Sequence, residues 1–319
     1  VSIQPSELAK LAAIFFLATY FSERRKKHRL KRVHKVKPRW QKLYDAFVDV
    51  TLPALMVIFW IVLILIQPHF SGAVIMGLVM VFMFITEGFS VKILMRGAAI
   101  LLFILLIAAV LLMVIGPIVT SQSIGDFVET RFAHVINRLA TFANPEEANP
   151  DEVRQVEQAR IALGSGGLFG VGLGRSVQKL NWLPESHNDF ILAIIGEELG
   201  FVGTFICLLL FILFFVFGVV VTVRAATPMT TMIAAGYTFL ITIQALLNFG
   251  VATHILPTTG ISLPFFSYGG TANFFFMLAG GMILCVSKSG KQEDSEIAQF
   301  LEPEKAKPRR VRAQKARMM

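Results

Sequence analysis

The sequence predicts an all-α, polytopic integral membrane protein with seven transmembrane helices and one large extracytoplasmic loop. Three observations carry that expectation. Of 319 residues, 55% are hydrophobic and only 16% charged, a balance foreign to water-soluble domains. The charges are also segregated, because Gly97 to Thr120, Leu199 to Val223 and Ala225 to Ser287 contain no Asp, Glu, Lys or Arg. Each run is long enough to carry a helix across about 30 Å of hydrocarbon, whereas uncharged runs of this length rarely occur in globular cores.

Taken in order, the spans fall at residues 5–21, 48–66, 70–87, 94–120, 190–222, 230–250 and 270–287. The first opens on "QPSELAK", where Pro5 suits a first helical position. With neither an initiator Met nor a signal peptide ahead of it, the chain is read as beginning partway through a longer protein. The second and third spans are short and joined by the turn "QPHFSG". The fourth is the clearest, and the large loop 121–189 follows it. The run after Ala225 exceeds one crossing and is interrupted by Pro, Gly, Thr and Ser between Pro257 and Gly270, so it is read as the sixth and seventh spans with an uncharged connection. Residues 1–287 thus form one transmembrane domain, and 288–319 a basic, disordered cytoplasmic tail.

Lys and Arg set the orientation. They crowd the segment Glu23 to Lys42 against a single acid, recur as Lys92, Arg96 and Arg224, and fill the tail from Lys288. All lie on one side if seven spans alternate, and that side is the cytoplasm. The loop 121–189, with nine acids and six bases, lacks this bias and lies outside. The net charge of +9 therefore reflects topology and attraction to anionic lipid rather than nucleic-acid binding. Cys207 and Cys285 both lie in apolar spans and the His residues are scattered, which gives no disulfide, metal or cofactor pattern.

Polar residues gather at three places on the outer side. The first is "LPESHNDFILAIIGEELG" from Leu183 to Gly200, which packs Glu185, Asp189, Glu197 and Glu198 around the start of an apolar run. Ser186 with Asp189 matches a capping box, the structural reading of the stretch. The density of acids, two of them one to two turns inside the span, predicts a wet cleft opening outward. The second is Glu7 with Lys10, three residues apart on one helix face. The third is "HILPTTGISLPFFSYGG", His254 to Gly270, whose hydroxyls, glycines and prolines suit non-helical backbone lining a cavity. Upstream of the acids, "GSGGLFGVGLGRS" has glycines but no Gly-Lys-Ser/Thr ending and no preceding strand. It is read as closely packed loop rather than a nucleotide site.

Five elements occur in one order along the chain: "QPSELAK" at 4–10, "QPHFSGA" at 67–73, "NRLATFANPEE" at 137–147, "GLFGVGLGRSVQKLNWLPESHNDFILAIIGEELGFVG" at 167–203 and "LPTTGISLPFFSYGGTAN" at 256–273. Together they resemble the SEDS family (shape, elongation, division and sporulation), the peptidoglycan glycosyltransferases of the FtsW, RodA and SpoVE type. The wording of "VQKLNWLPE" and "ISLPFFSYGG" is closest to the division-type FtsW branch. The resemblance implies a ten-helix fold in which "QPSE" begins the fourth span, so that the seven spans here correspond to the fourth through tenth.

It further implies polymerisation of lipid II, a disaccharide-pentapeptide on undecaprenyl pyrophosphate, into glycan strands at the outer face of the cytoplasmic membrane, in partnership with a class B penicillin-binding protein and other division proteins. On the family's pattern, Asp189 of "HNDF" is the catalytic acid, the base that takes a proton from the acceptor sugar's 4-hydroxyl. The departing pyrophosphate needs positive charge, for which Arg138 is the first candidate, with Lys10, Arg175 and Lys179 next. His187 is a candidate to orient Asp189 or bind the acceptor. Glu7 with Lys10, and Glu198, hold the cleft's shape, and Ser267, Tyr268 and Gly269 its opposite wall. Two departures stand out: His69 where many members have Asp, and Asn188 where Thr is common. The rival readings are a transporter of the lipid-linked precursor, which calls for charges near the midplane and internal repeats, and a non-catalytic division scaffold.

Overall fold

The computed structural model describes residues 4–30, 39–67, 69–119, 142–143, 150–180, 182–184 and 186–301. Every regular element among them is helical: α1 (Pro5–Leu30), α2 (Arg39–Ala46), a π-turn (Phe47–Thr51), α3 (Leu52–Ile66), α4 (Phe70–Glu87), α5 (Val91–Val119), α6 (Pro150–Ser165), α7 (Ile191–Val223), α8 (Pro228–Ala252) and α9 (Gly270–Leu301). Arg138, Glu185, most of "NRLATFANPEE" and the tail beyond Leu301 lie outside the described residues.

The most buried of the spans is α8, which sits against α1, α4, α7 and α9. Ile14, Leu17 and Phe21 of α1, Met76 and Met83 of α4, Leu240 and Ile241 of α8, and Phe276 and Ala279 of α9 close the core between them. On the outside, large apolar side chains such as Leu102, Phe103, Phe205 and Phe217 are exposed along α5 and α7. Water would make such a surface an aggregation site, but lipid tails solvate it without penalty.

At the end of α1 away from Pro5, ion pairs fasten it to its neighbours. The Arg24 guanidinium meets the buried Asp49 carboxylate of the π-turn at 2.6 Å. Arg25 donates to the Glu87 side chain at 2.5 Å and to the Glu87 carbonyl at 2.7 Å. The extra residue of a π-turn turns a side chain off the regular helical face, and here that side chain is the acid that Arg24 needs.

Long as it is, α7 is not one continuous ladder. Gly200 adopts φ 69°, ψ −164° inside it, a conformation open to glycine and strained for other residues. Such a break releases backbone groups that lipid cannot satisfy. The glycine-rich segment after α6 takes them up: Val171 and Gly172 amides donate to the carbonyls of Glu197 and Glu198 at 2.9 and 3.0 Å, while Phe201 and Val202 amides donate to Gly167 and Leu168 carbonyls at 2.9 and 3.1 Å. A methyl group on Gly170 would overlap the Glu198 carbonyl, so the run of glycines is what lets the two backbones meet.

The expected count of seven spans holds approximately, and two other expectations need correction. Six helices among the described residues, beginning with Trp40–Ile66, are long and apolar enough to cross a membrane. Helix α1 is not among them, because the buried Glu7 and Lys10 and the polar Ser6 and Ser22 dilute its apolar stretch. Helix α9 runs on to Leu301, through the first part of the segment expected to be disordered, where Lys, Gln, Glu and Ala are good helix formers. The capping box of Ser186 and Asp189 does not form either, for α7 starts at Ile191 with Phe190 at its cap and no side-chain bond there. The box that does form is at the start of α8, where the Thr227 hydroxyl accepts from the Thr230 amide at 3.2 Å and the Thr230 hydroxyl accepts from the Thr227 amide at 3.0 Å.

Candidate active site

The N-terminal ends of α1, α4 and α9 and the C-terminal part of α8 surround a cavity of about 230 Å³, below the roughly 300–1,000 Å³ of drug-sized ligand sites, roofed by residues 188–189 and by the non-helical segment after α8. Glu7 and Lys10 form one wall, His69, Ser71 and Gly72 a second, Gln244 the flank on α8, and Asn188, Asp189, Tyr268 and Gly269 the rim. Sequence spacing had placed Glu7 and Lys10 on one face, and they form a buried ion pair at 2.8 Å. A buried pair of this kind is costly to desolvate and strongly destabilising to break singly.

Backbone anchors position Asp189 at the rim. The Asn248 side chain, wholly buried on α8, donates from Nδ2 to the Asp189 carbonyl at 2.8 Å and to the Ile261 carbonyl at 2.7 Å. Ser267 Oγ donates to the Asn188 carbonyl at 2.7 Å and accepts from the Leu263 amide at 2.7 Å. The Tyr268 amide donates to the His187 carbonyl at 2.8 Å, and Asn273 Nδ2 donates to the Ser267 carbonyl at 2.7 Å. Residues 187–189 are thereby stitched to 261–268 by their carbonyls, which is why they stand outside the helix that follows. Asp189 itself is half-buried and lines the cavity.

His69 enters from the α3–α4 turn. Its Nδ1 lies 3.0 Å from Ser6 Oγ, and its ring lies so close over Gly72 that a Cβ there would come within 2.7 Å of Nδ1. Burial holds the His69 imidazole below its ordinary pKa, and the Lys10 ammonium adds to this while the Glu7 carboxylate opposes it. The ring is therefore kept neutral near pH 7. Ser71 Oγ donates to the Thr259 carbonyl and ties α4 to the same roof.

Other expected site residues stand apart. Glu198 pairs with Lys179 at 2.6 Å. Glu197 accepts from Ser176 Oγ at 2.5 Å and from the Val177 amide at 3.0 Å. These two acids, read from sequence as lining a wet cleft, grip the loop that follows the glycine-rich segment, and neither they nor Lys179 line the cavity. Arg175 is exposed beside Gly172, and His187 is exposed and contributes its carbonyl. Ser267 is buried behind the rim, whereas Tyr268 is 85% exposed on it. Sequence reasoning missed Gln244 and Asn248, two amides inside a charge-free run; a polar side chain at that depth of a span was itself the signal. Among the described residues no group of three or more His, Cys, Asp or Glu gathers as a metal site.

Comparisons with known proteins bear on the family and the fold. The model of a cell cycle protein family, that of FtsW, RodA and SpoVE, matches residues 1–292. Stage V sporulation protein E of Bacillus subtilis (strain 168) is 36% identical over 289 residues, covering 90% of this chain and 69% of that protein. The probable peptidoglycan glycosyltransferase FtsW of the same strain is 30% identical over 297 residues, covering 93% and 67%. The chain spans about two thirds of the length of these relatives. Among solved structures, one described as the structural coordination of polymerization and crosslinking by a peptidoglycan synthase complex aligns at TM-score 0.58 and 20% identity, covering 92% of this chain and 72% of that one. The rod shape determining protein RodA of Thermus thermophilus aligns at 0.50 and 22%, covering 90% and 66%. At such identities the structural matches speak for the fold alone.

Proposed function

We propose, from the premise that this chain belongs to the FtsW, RodA and SpoVE family of cell cycle proteins, that it is a peptidoglycan glycosyltransferase polymerising lipid II into glycan strands at the outer face of the cytoplasmic membrane. What supports this reading is that Asp189 and the Glu7–Lys10 pair line the same cavity. A base and a cation thus share a small compartment that opens outward.

In the reaction, the acceptor sugar's 4-hydroxyl oxygen attacks the anomeric carbon of the donor while the bond from that carbon to the pyrophosphate oxygen breaks. Asp189 takes the hydroxyl proton, a role worth roughly 10²–10⁴-fold. The leaving pyrophosphate gains charge as the bond lengthens, and fixed positive groups stabilise it. Lys10 is the lysine lining the cavity among the described residues, and Arg138 in the outer loop remains a candidate for the same work. Glu7 holds the Lys10 ammonium in place, and Asn248, Ser267 and the Tyr268 amide hold the segment that bears Asp189. A class B penicillin-binding protein is the partner that fits this reading, with the septum as its place of work.

The test is glycan formation from purified lipid II by the full-length protein with its partner transpeptidase. Asp189→Asn is expected to lower the rate about 10²–10⁴-fold with thermal unfolding unchanged. Polymerisation at the unmodified rate would overturn the assignment of the base. A parallel liposome assay distinguishes the transporter reading, since movement of lipid II between leaflets without polymer would replace glycosyl transfer as the function.

A further inference from the structure

A second cavity lies at the other end of α7, in a slot between α7 and α9. It measures about 590 Å³ and has Phe217, Val221, Ile283 and Leu284 among its walls, with Arg224 and Ser287 at one end. Glycines and rings fix its shape. A Cβ on Gly218 would overlap Thr238, so α7 leans closely on α8. Across the slot, nothing lies within 4 Å of a Cβ added to Gly280 of α9. The Phe265 ring, 6.2 Å from Phe214 and 6.1 Å from Phe276, bridges the two helices at the end away from Arg224. At the Arg224 end the helices meet again, because Gly290 lies so near the Arg224 carbonyl that a Cβ would come within 2.7 Å of its oxygen. Ten residues separate Phe214 from Arg224, and ten separate Gly280 from Gly290. That is about 15 Å of helix, half of the roughly 30 Å of bilayer hydrocarbon. The slot is one leaflet deep and has a cation at its mouth.

The chemistry of the occupant follows from that mouth. Arg224 is exposed and, among the described residues, enters no side-chain hydrogen bond or ion pair, unlike Arg24 and Arg25, which are paired with Asp49 and Glu87. No carboxylate among the described residues lines the slot, and Lys288 follows Ser287 directly in α9. A guanidinium with uncommitted N–H groups matches a phosphate, which it can grip through two parallel hydrogen bonds. An apolar slot one leaflet deep takes the acyl chain to which such a phosphate is attached. The nearby Lys288 ammonium disfavours a headgroup that carries an ammonium of its own. The length of α7, Ile191–Val223, separates Arg224 from Asp189, so this occupant takes no part in chemistry at the first cavity. We propose that the slot between α7 and α9 binds one acidic glycerophospholipid, with its phosphate on Arg224 and an acyl chain along Phe217 and Leu284.

The experiment uses the full-length protein in detergent, with phosphatidylglycerol and phosphatidylethanolamine as probes, and counts the lipids retained by native mass spectrometry. One phosphatidylglycerol is expected to be held about tenfold more tightly than phosphatidylethanolamine, the scale of one charge-assisted hydrogen bond. It is also expected to raise the thermal midpoint, because a ligand of the folded state alone stabilises that state. Arg224→Gln is expected to weaken phosphatidylglycerol binding about tenfold and to abolish the preference, while Arg224→Lys keeps part of it. Gly280→Leu, which puts a side chain into the open slot, is expected to expel both lipids from a folded protein. Lys92→Gln, at an exposed cation outside the slot, is expected to bind as the unmodified protein does. Because Arg224 is exposed, Arg224→Gln decides the matter even where Gly280→Leu fails to fold. Equal losses in Lys92→Gln and Arg224→Gln mean diffuse attraction to acidic lipid and overturn the proposal. Undiminished phosphatidylglycerol binding by a folded Gly280→Leu protein overturns it too, as does tighter retention of undecaprenyl phosphate than of phosphatidylglycerol. Release of the lipid when the partner transpeptidase is added would make the slot a helix-docking surface instead.

Discussion

His69 shows how one side chain shapes a wall of the cavity. Its ring occupies the space over Gly72, touches Ser6 and faces Lys10. Because its folded pKa lies below that of a free imidazole near 6.5, the unfolded chain binds the extra proton first as pH falls. The stability conferred by neutral His69 is therefore complete above about pH 6.5 and is lost as pH drops toward the lowered folded value. Thermal unfolding in detergent is expected to show the midpoint falling between about pH 7 and 5, and His69→Asn is expected to flatten that slope. Gly72→Ala is expected to displace the ring and reduce activity without unfolding the protein. Asn248 is the structural counterpart. Asn248→Ala strands two buried carbonyls at about 1–3 kcal/mol each, and is expected to lower both the unfolding midpoint and the rate. The Glu7–Lys10 pair was legible from spacing alone. Gln244 and Asn248 were not, because an amide in an apolar run has no periodic partner in the sequence to reveal what it meets in space.

At the scale of elements, four of the six membrane helices could be drawn from charge-free length within about three residues of their observed bounds. The one ending at Ile66 starts eight residues earlier than expected, and the span starting at Val91 ends at Leu111, nine earlier, within a helix that runs on to Val119. The starts were less legible. Ser186 and Asp189 carry the letters of a cap, but the tertiary bonds to Asn248, Ser267 and Tyr268 hold that segment out of the helix. Likewise the glycine-rich run was read as a surface loop, and its service to the broken α7 depends on a φ that no letter announces. Gly170→Ala is expected to destabilise the protein strongly, since φ 79° and the Glu198 carbonyl both exclude a methyl. Gly164→Ala in α6, where nothing lies within 4 Å of an added Cβ, is expected to stabilise by about 0.5–1 kcal/mol. Thermal unfolding of the two variants side by side checks the contrast.

For the whole molecule, orientation decides whether the cavity meets extracellular sugars. The basic connections, Arg24 and Arg25 among them, lie at the end opposite the cavity and are partly consumed in ion pairs with Asp49 and Glu87. Tyr268→Cys on the exposed rim is expected to react with an impermeant maleimide in intact cells, whereas Lys27→Cys is expected to react only after permeabilisation. The reverse pattern would place the cavity in the cytoplasm and exclude lipid-linked sugar chemistry on the outer face.

The break at Gly200 also fixes a depth. From Phe201 to Val223, at about 1.5 Å per residue, α7 measures about 35 Å, enough by itself for the hydrocarbon layer. The first turns of α7, Glu197 and Glu198 included, are then not needed for the crossing. A single glycine thus divides α7 into a stretch long enough to cross and a shorter one whose two acids are spent on gripping the neighbouring loop.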